Sequence, residues 1–275
     1  MSDPAAAPAA EASTPTPTPA SVPGFESWRR SLAHLTGLGL SDDERLLRDK
    51  EEERRRLEKD WDKCERWKKE MMTRSPIIVF MLKHLQLAGC PFPSSAMQCH
   101  PCDASRAGGF SPEHGILLCQ NRFMNRRHME DTLAHELLHA FDHCRFRVDW
   151  MNLRHHACTE IRAANLSGDC RWSREVKRGY WAFSAQHQAC VRRRAVLSVM
   201  AHPKCQGKED AERAVGEVWD SCFRDTRPFD DVSPAAGGLT PDLLDYMMKL
   251  LHWRFGLRAS GYGLCCGVCG DKCER

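Results

Sequence analysis

Residues 131 to 143 read DTLAHELLHAFDH, so His135 and His139 stand four apart and Glu136 directly follows the first. On a helix that spacing puts both imidazoles on one face about one turn apart, with Glu136 about 100° round the axis. Two nitrogens aimed at one point suit a divalent cation, and the adjacent carboxylate suits a base acting on cation-bound water. Leu133, Ala134, Leu137, Leu138, Ala140 and Phe141 make the helix apolar nearly all round, which places it in a core. Buried there, two histidines and a glutamate are costly without a strong partner. A zinc ion is the expected partner, and hydrogen-bonded core histidines are the competing explanation.

A zinc hydrolase of this kind needs three protein ligands and an open position for water. His143 lies eight residues after His135, about 12 Å along a helix, too far for one ion held by bonds of about 2.1 Å unless the helix ends first. Glu160 stands twenty-one residues after His139, which is room for one helix to finish and a second to return. It is the foremost third ligand, in a two-histidine, one-glutamate set, with His155, His156, Asp149 and His143 as alternatives. Glu136 is the expected catalytic base. Ala163 and Ala164 stand where some such enzymes place an acidic partner for a ligand histidine, so Asp142, Asn165 or Asp169 must take that role. A further donor for the carbonyl oxygen would be His155 or His156.

The elements that must position these residues can be read from pattern. Residues 41 to 72 carry a Ser41 cap, no internal glycine or proline, and mixed charges over a thin stripe of Leu46, Leu57, Trp61 and Cys64, which predicts a mostly solvated helix. SPIIVFMLKHLQLAG predicts a helix closed at Gly89, and Pro91 to Arg106 reads as turns. GGFSPEHGILLCQNRF predicts two short strands, with HGILLCQN as the edge strand against which an extended substrate pairs. From Asn125 the periodicity is helical in four segments. The expected fold is α+β and zincin-like, a small sheet followed by the active-site helix and a helical half, cross-linked by disulfides.

Composition narrows the function. Forty basic and 37 acidic side chains leave a formal charge of +3, so no global field points to nucleic acid, and no nucleic-acid partner is expected. No apolar run approaches the roughly 18 residues a bilayer span needs, so any membrane contact is expected to be peripheral. The Ala/Pro/Thr-rich start lacks a signal-peptide core and is expected to be a disordered tail over 1–40, followed by a metalloprotease domain over 41–232 and an atypical extension over 233–275. Fifteen cysteines spread along the chain favour several disulfides, an oxidising usage without an export signal.

HELLHAFDHCRFRVDWMNLRHHACTEIRAANLSGDC, CVRRRA and CFRDTRPFD, with GGFSPEHGILLCQN upstream, resemble in order a family of mitochondrial inner membrane metalloproteases. Members of that family process ATP synthase subunit a and assist assembly of the synthase's membrane sector. The resemblance runs from about Cys64 to Asp230. It implies His135 and His139 as metal ligands, Glu136 as the catalytic residue, and a soluble fold attached to the intermembrane-space face of the inner membrane. It also implies the precursor of subunit a and membrane-sector assembly intermediates as partners. Such proteins are trapped in that space by disulfide formation, which accounts for cysteines without a signal.

The matching stretch holds eleven cysteines, an odd number, so at least one must stay reduced, ligate metal or pair with the tail. CCGVCGDKC near the end could be a zinc knuckle, a lipidated end or a further disulfide cluster. Two rival functions remain: an assembly chaperone or scaffold with a structural zinc, and a SprT-like protease of protein–DNA crosslinks. Lack of a well-placed third histidine and of a basic face argues against the second.

Overall fold

A computed structural model describes residues 23–104, 106–171, 175–176, 178–180 and 186–230. The terminal cysteine cluster lies outside these residues. Met1–Arg56 and Leu57–Arg275 form separate compact units.

The helices are α1 (Pro23–Thr36), α2 (Asp42–Arg74), α3 (Pro76–Leu87), α4 (Arg126–Arg145), α5 (Leu153–Leu166), α6 (Gln186–Met200) and α7 (Lys208–Arg224). The strands are β1 (Met97–His100), β2 (Gly108–Ser111) and β3 (Gly115–Cys119). Helix α1 starts inside the segment expected to be structureless, because Phe25, Trp28, Leu32 and Leu35 recur at helical spacing beyond the proline-rich stretch. Ser41 opens α2 with a capping box: its Oγ accepts from the Glu44 N–H while Glu44 Oε2 accepts from the Ser41 N–H at 2.8 Å. Of the expected stripe Cys64 is buried while Leu46 and Trp61 are exposed, and the buried side of α2 continues at Lys68 and Met71. The last turns of α2 meet the sheet, where Lys68 Nζ donates to Met97 O and Cys64 is bridged to Cys99.

Ser75 caps α3 and Pro76 sits in its first turn, where a missing N–H costs nothing. The segment read as turns contains β1, a strand too short and too interrupted by proline and cysteine to show an alternation. The sheet order is β1-β3-β2, with β1 parallel and β2 antiparallel to β3. The expectation that HGILLCQN forms the edge is therefore wrong: β3 is central, and the edges are β1 and β2. The unrecognised β1 covers the side that would otherwise be free.

One core packs α3, α4, the sheet and the end of α2, around Phe80, Met81, Leu118, Leu133 and Leu137. A second joins α5, α6 and α7 around Ile161, Val191, Val199 and Val215. Helices α4 and α5 pack against each other at the boundary between the cores, with Ala163 and Ala164 buried. Five disulfides staple this frame: Cys64–Cys99, Cys90–Cys144, Cys102–Cys119, Cys158–Cys222 and Cys170–Cys190. Cys205 is left as the free thiol among the described residues, in keeping with the odd count.

Candidate active site

Helix α4 begins at Asn125, whose side chain accepts the His128 N–H at 2.9 Å, and runs unbroken through both histidines. Helix α5 begins at Asn152, whose side chain accepts the Arg154 N–H, and carries Glu160 back past them. His135 Nε2 lies 3.5 Å from Glu160 Oε2, and His139 Nε2 lies 3.6 Å from Glu160 Oε1. One ligand atom from each of His135, His139 and Glu160 falls within 4.8 Å of the others, a group able to hold a metal ion. The alternatives stand apart from that triangle. His143 Nδ1 accepts from Trp150 Nε1, and His155 Nδ1 accepts the Asp149 N–H, so both face the loop between the helices. His156 comes closer, with Nε2 3.8 Å from Glu160 Oε1.

Each histidine of the triangle has its second ring nitrogen turned to an acceptor. His139 Nδ1 lies 2.8 Å from Thr159 Oγ1, whose hydroxyl donates onward to Asp142. Asp142 in turn takes the buried Arg162 guanidinium at 2.9 Å. His135 Nδ1 lies 3.4 Å from Asp169 Oδ2. Asn165 is occupied elsewhere, accepting from His187 and donating to Phe223 O. Thr159 and Arg162 escaped sequence reading, because a threonine and an arginine on a helix carry no metal signature. Their only signal was adjacency to Glu160.

Nitrogens backed in this way turn their Nε2 lone pairs inward, the tautomer a metal requires. Electrostatics point the same way. Burial pulls His135 down, but Asp169 and Glu160 overcome it and raise it well above the usual imidazole range. Burial drives His139 down to about 3, so it stays neutral. Burial would raise Glu160, yet His139 and His135 hold it well below the ordinary carboxylate range. The cluster thus retains one positive charge, on a proton, where carboxylates converge. A divalent cation fits that place and would displace the proton.

Glu136 stands beside the triangle. Burial lifts it to about 7, with His135 opposing and Glu160 and Asp169 adding to the rise. Strand β2 lies directly over it: a Cβ at Gly108 would come 2.8 Å from Thr132 Cγ2 and 3.3 Å from Glu136 Oε1. Glycine is what lets the strand approach α4. Two residues on, Phe110 stands 6.0 Å from His143 and 5.8 Å from Trp150, ring centre to ring centre, and Trp150 stands 6.1 Å from His139. These rings wall the site on one side, and beyond them a cavity of about 300 Å³ is lined by His143, Phe146 and Val148.

Two packed helices carrying this buried set beside a small three-stranded sheet have the α+β architecture of zincin-like metallopeptidases. The chain belongs to the Peptidase M76 family, whose pattern matches residues 62–230. It is similar to a mitochondrial inner membrane protease of Neosartorya fischeri, 49% identical over 77% of this chain and 91% of the relative. A protease of the same name in Saccharomyces cerevisiae is 46% identical over 76% of this chain and 96% of the relative. That of Malassezia globosa is 52% identical over 62% of this chain and 76% of the relative. No solved structure matches the chain.

Proposed function

We propose that the chain is a zinc-dependent endopeptidase of the mitochondrial intermembrane space, held peripherally on the inner membrane. In this reading it processes the precursor of ATP synthase subunit a and serves the membrane sector as an assembly chaperone. Membership of a peptidase family supports the reaction class, and relatives called mitochondrial inner membrane proteases support the compartment. The observation that carries the reading is the convergence of His135, His139 and Glu160 with Glu136 at their side.

His135, His139 and Glu160 would hold the ion, and zinc bound there would acidify a water and polarise the scissile carbonyl. Glu136, kept protonatable near neutrality by burial, is placed to take a proton from the attacking water and return it to the leaving amine. An extended substrate pairs with the outer edge of β2, which among the described residues bonds only β3, and its side chains lie along Phe110 and Trp150. Main-chain pairing selects little by sequence, so the location of the enzyme supplies much of its selectivity.

No helix among the described residues is long and apolar enough to cross a membrane. Phe25, Trp28, Leu32 and Leu35 line one face of α1 at 57%, 57%, 41% and 83% exposure, with Arg29 and Arg30 on the polar side. That amphipathic pattern suits contact with an anionic lipid surface.

The test is Glu136→Gln in purified, zinc-loaded protein. Cleavage of the subunit a precursor should stop while zinc content and folding persist, and assembly assistance should survive. Undiminished cleavage would overturn the assignment.

A further inference from the structure

Asp169 is not on either helix of the metal triangle. Helix α5 ends at Leu166 with Ser167 as its cap, and Gly168, at φ +102°, takes a left-handed turn that few other residues tolerate. The turn sends the chain back so that Asp169, 5% exposed, faces His135. His135 Nδ1 is buried and makes no full hydrogen bond among the described residues, with Asp169 Oδ2 3.4 Å away. Three ties hold the carboxylate in place. Arg194, on α6, donates to Asp169 Oδ2 at 3.0 Å, the same oxygen that faces His135. Arg178 donates to the Asp169 carbonyl at 2.8 Å. The next residue, Cys170, is bridged to Cys190, one helical turn before Arg194.

We propose that Asp169, clamped by Arg194 and by the Cys170–Cys190 disulfide, is the positioning residue that fixes the ring of His135 for metal binding. The inference rests on the reading that His135, His139 and Glu160 form the metal site. When Nε2 ligates the ion, the ring proton sits on Nδ1 and must be donated, and Asp169 is the acceptor in place. Arginine on the same oxygen limits the rotation of that carboxylate. The disulfide carries the demand one step further: it joins the strand of chain that bears the acceptor to the helix that bears the clamp. Helix α6 carries none of the proposed ligands, yet it supports the metal through this chain of contacts. The run Arg192–Arg193–Arg194 then divides into three tasks. Arg192 stacks on Trp219 at 4.2 Å, Arg193 pairs with the buried Glu175 at 2.7 Å, and Arg194 serves the site.

The experiment is zinc affinity, measured on full-length protein by competition with a chromophoric chelator. Asp169→Asn should weaken zinc about 10- to 100-fold, the usual cost of losing such a partner. Arg194→Gln should weaken it in the same direction, and Arg194→Lys should restore most of the loss, because a cation is regained at a site 39% exposed where either variant folds. Cys170→Ser with Cys190→Ser should weaken zinc more than Cys102→Ser with Cys119→Ser, whose bridge lies by the sheet. Unchanged affinity in Asp169→Asn and Arg194→Gln, in a protein that binds one zinc and loses it in Glu160→Gln, would overturn the positioning role. A wild-type protein whose zinc is indifferent to Glu160→Gln would instead overturn the metal site itself.

Discussion

Glu136 and Glu160 are buried carboxylates in one cluster, yet their surroundings push them in opposite directions. Glu160 faces two imidazoles and stays ionised, as a ligand should, whereas Glu136 is raised by burial and by its anionic neighbours. Zinc stoichiometry should therefore separate them. Glu160→Gln should lose metal and activity together, and Glu136→Gln should keep the metal and lose activity, while His143→Ala and His155→Ala bind zinc at full stoichiometry. Zinc lost in either histidine variant but retained in Glu160→Gln would replace Glu160 with that histidine. Arg162 offers a second test at this scale. It is fully buried, pairs with Asp142 and with Asp225 at 2.6 Å, and donates to the carbonyls of Asp225 and Arg227. Arg162→Met would strand the buried Asp142 carboxylate, while Asp225 keeps Arg227, so urea denaturation should register a loss of about 3–5 kcal/mol. A loss under about 1 kcal/mol would mean that the network relaxes around the gap.

Strand β2 is the element on which substrate geometry turns. Its edge position, its glycine against Glu136 and its Phe110 beside Trp150 set it beside Glu136, where the proposed substrate pairing would occur. Gly108→Ala inserts a methyl group 2.8 Å from Thr132 Cγ2, a stiff branched neighbour that cannot swing away, so the strand must lift. A shift of about 1 Å can cost on the order of 100-fold in rate, and peptide hydrolysis should fall by that order with zinc content unchanged. Helix α1 should act separately from catalysis. Trp28→Glu with Leu32→Glu should abolish flotation with anionic vesicles and leave hydrolysis of a short soluble peptide as it was. Persistent flotation would assign the contact to another surface. Both elements were partly legible. The apolar spacing of α1 is in the sequence, but it was absorbed into a proline-rich tail. The strand pair was readable from its turn, whereas which strand is the edge depended on β1, whose partners lie nineteen residues away across two turns.

The whole molecule is held by cross-links as much as by its two cores. Cys158–Cys222 closes a loop of sequence separation 64 between α5, which bears Glu160, and α7. Losing such a bridge should cost about 2–5 kcal/mol. The pair Cys158→Ser, Cys222→Ser should accordingly melt well below the wild type, and its zinc should be lost along the same thermal transition. A variant that melts with the wild type would show that packing of α5 on α7 suffices.

What the sequence alone determined is what depends on local spacing. A four-residue interval sets two histidines on one helix face, alternation and turn residues mark β2 and β3, and eleven cysteines between Cys64 and Asp230 leave one that cannot pair within that stretch, Cys205 among the described residues. Glu160 was reachable as an expectation, since two antiparallel helices need about that length of chain to return. Only the tertiary structure decided which acceptor backs each histidine, because that depends on where chains far apart in sequence come to rest. Asp169 reaches His135 through a left-handed turn at Gly168 and a clamp from α6, and Asp142 reaches His139 only through Thr159. Spacing along one helix is a property of the backbone, while a carboxylate's approach from another element is set by packing, charge and cross-links acting together.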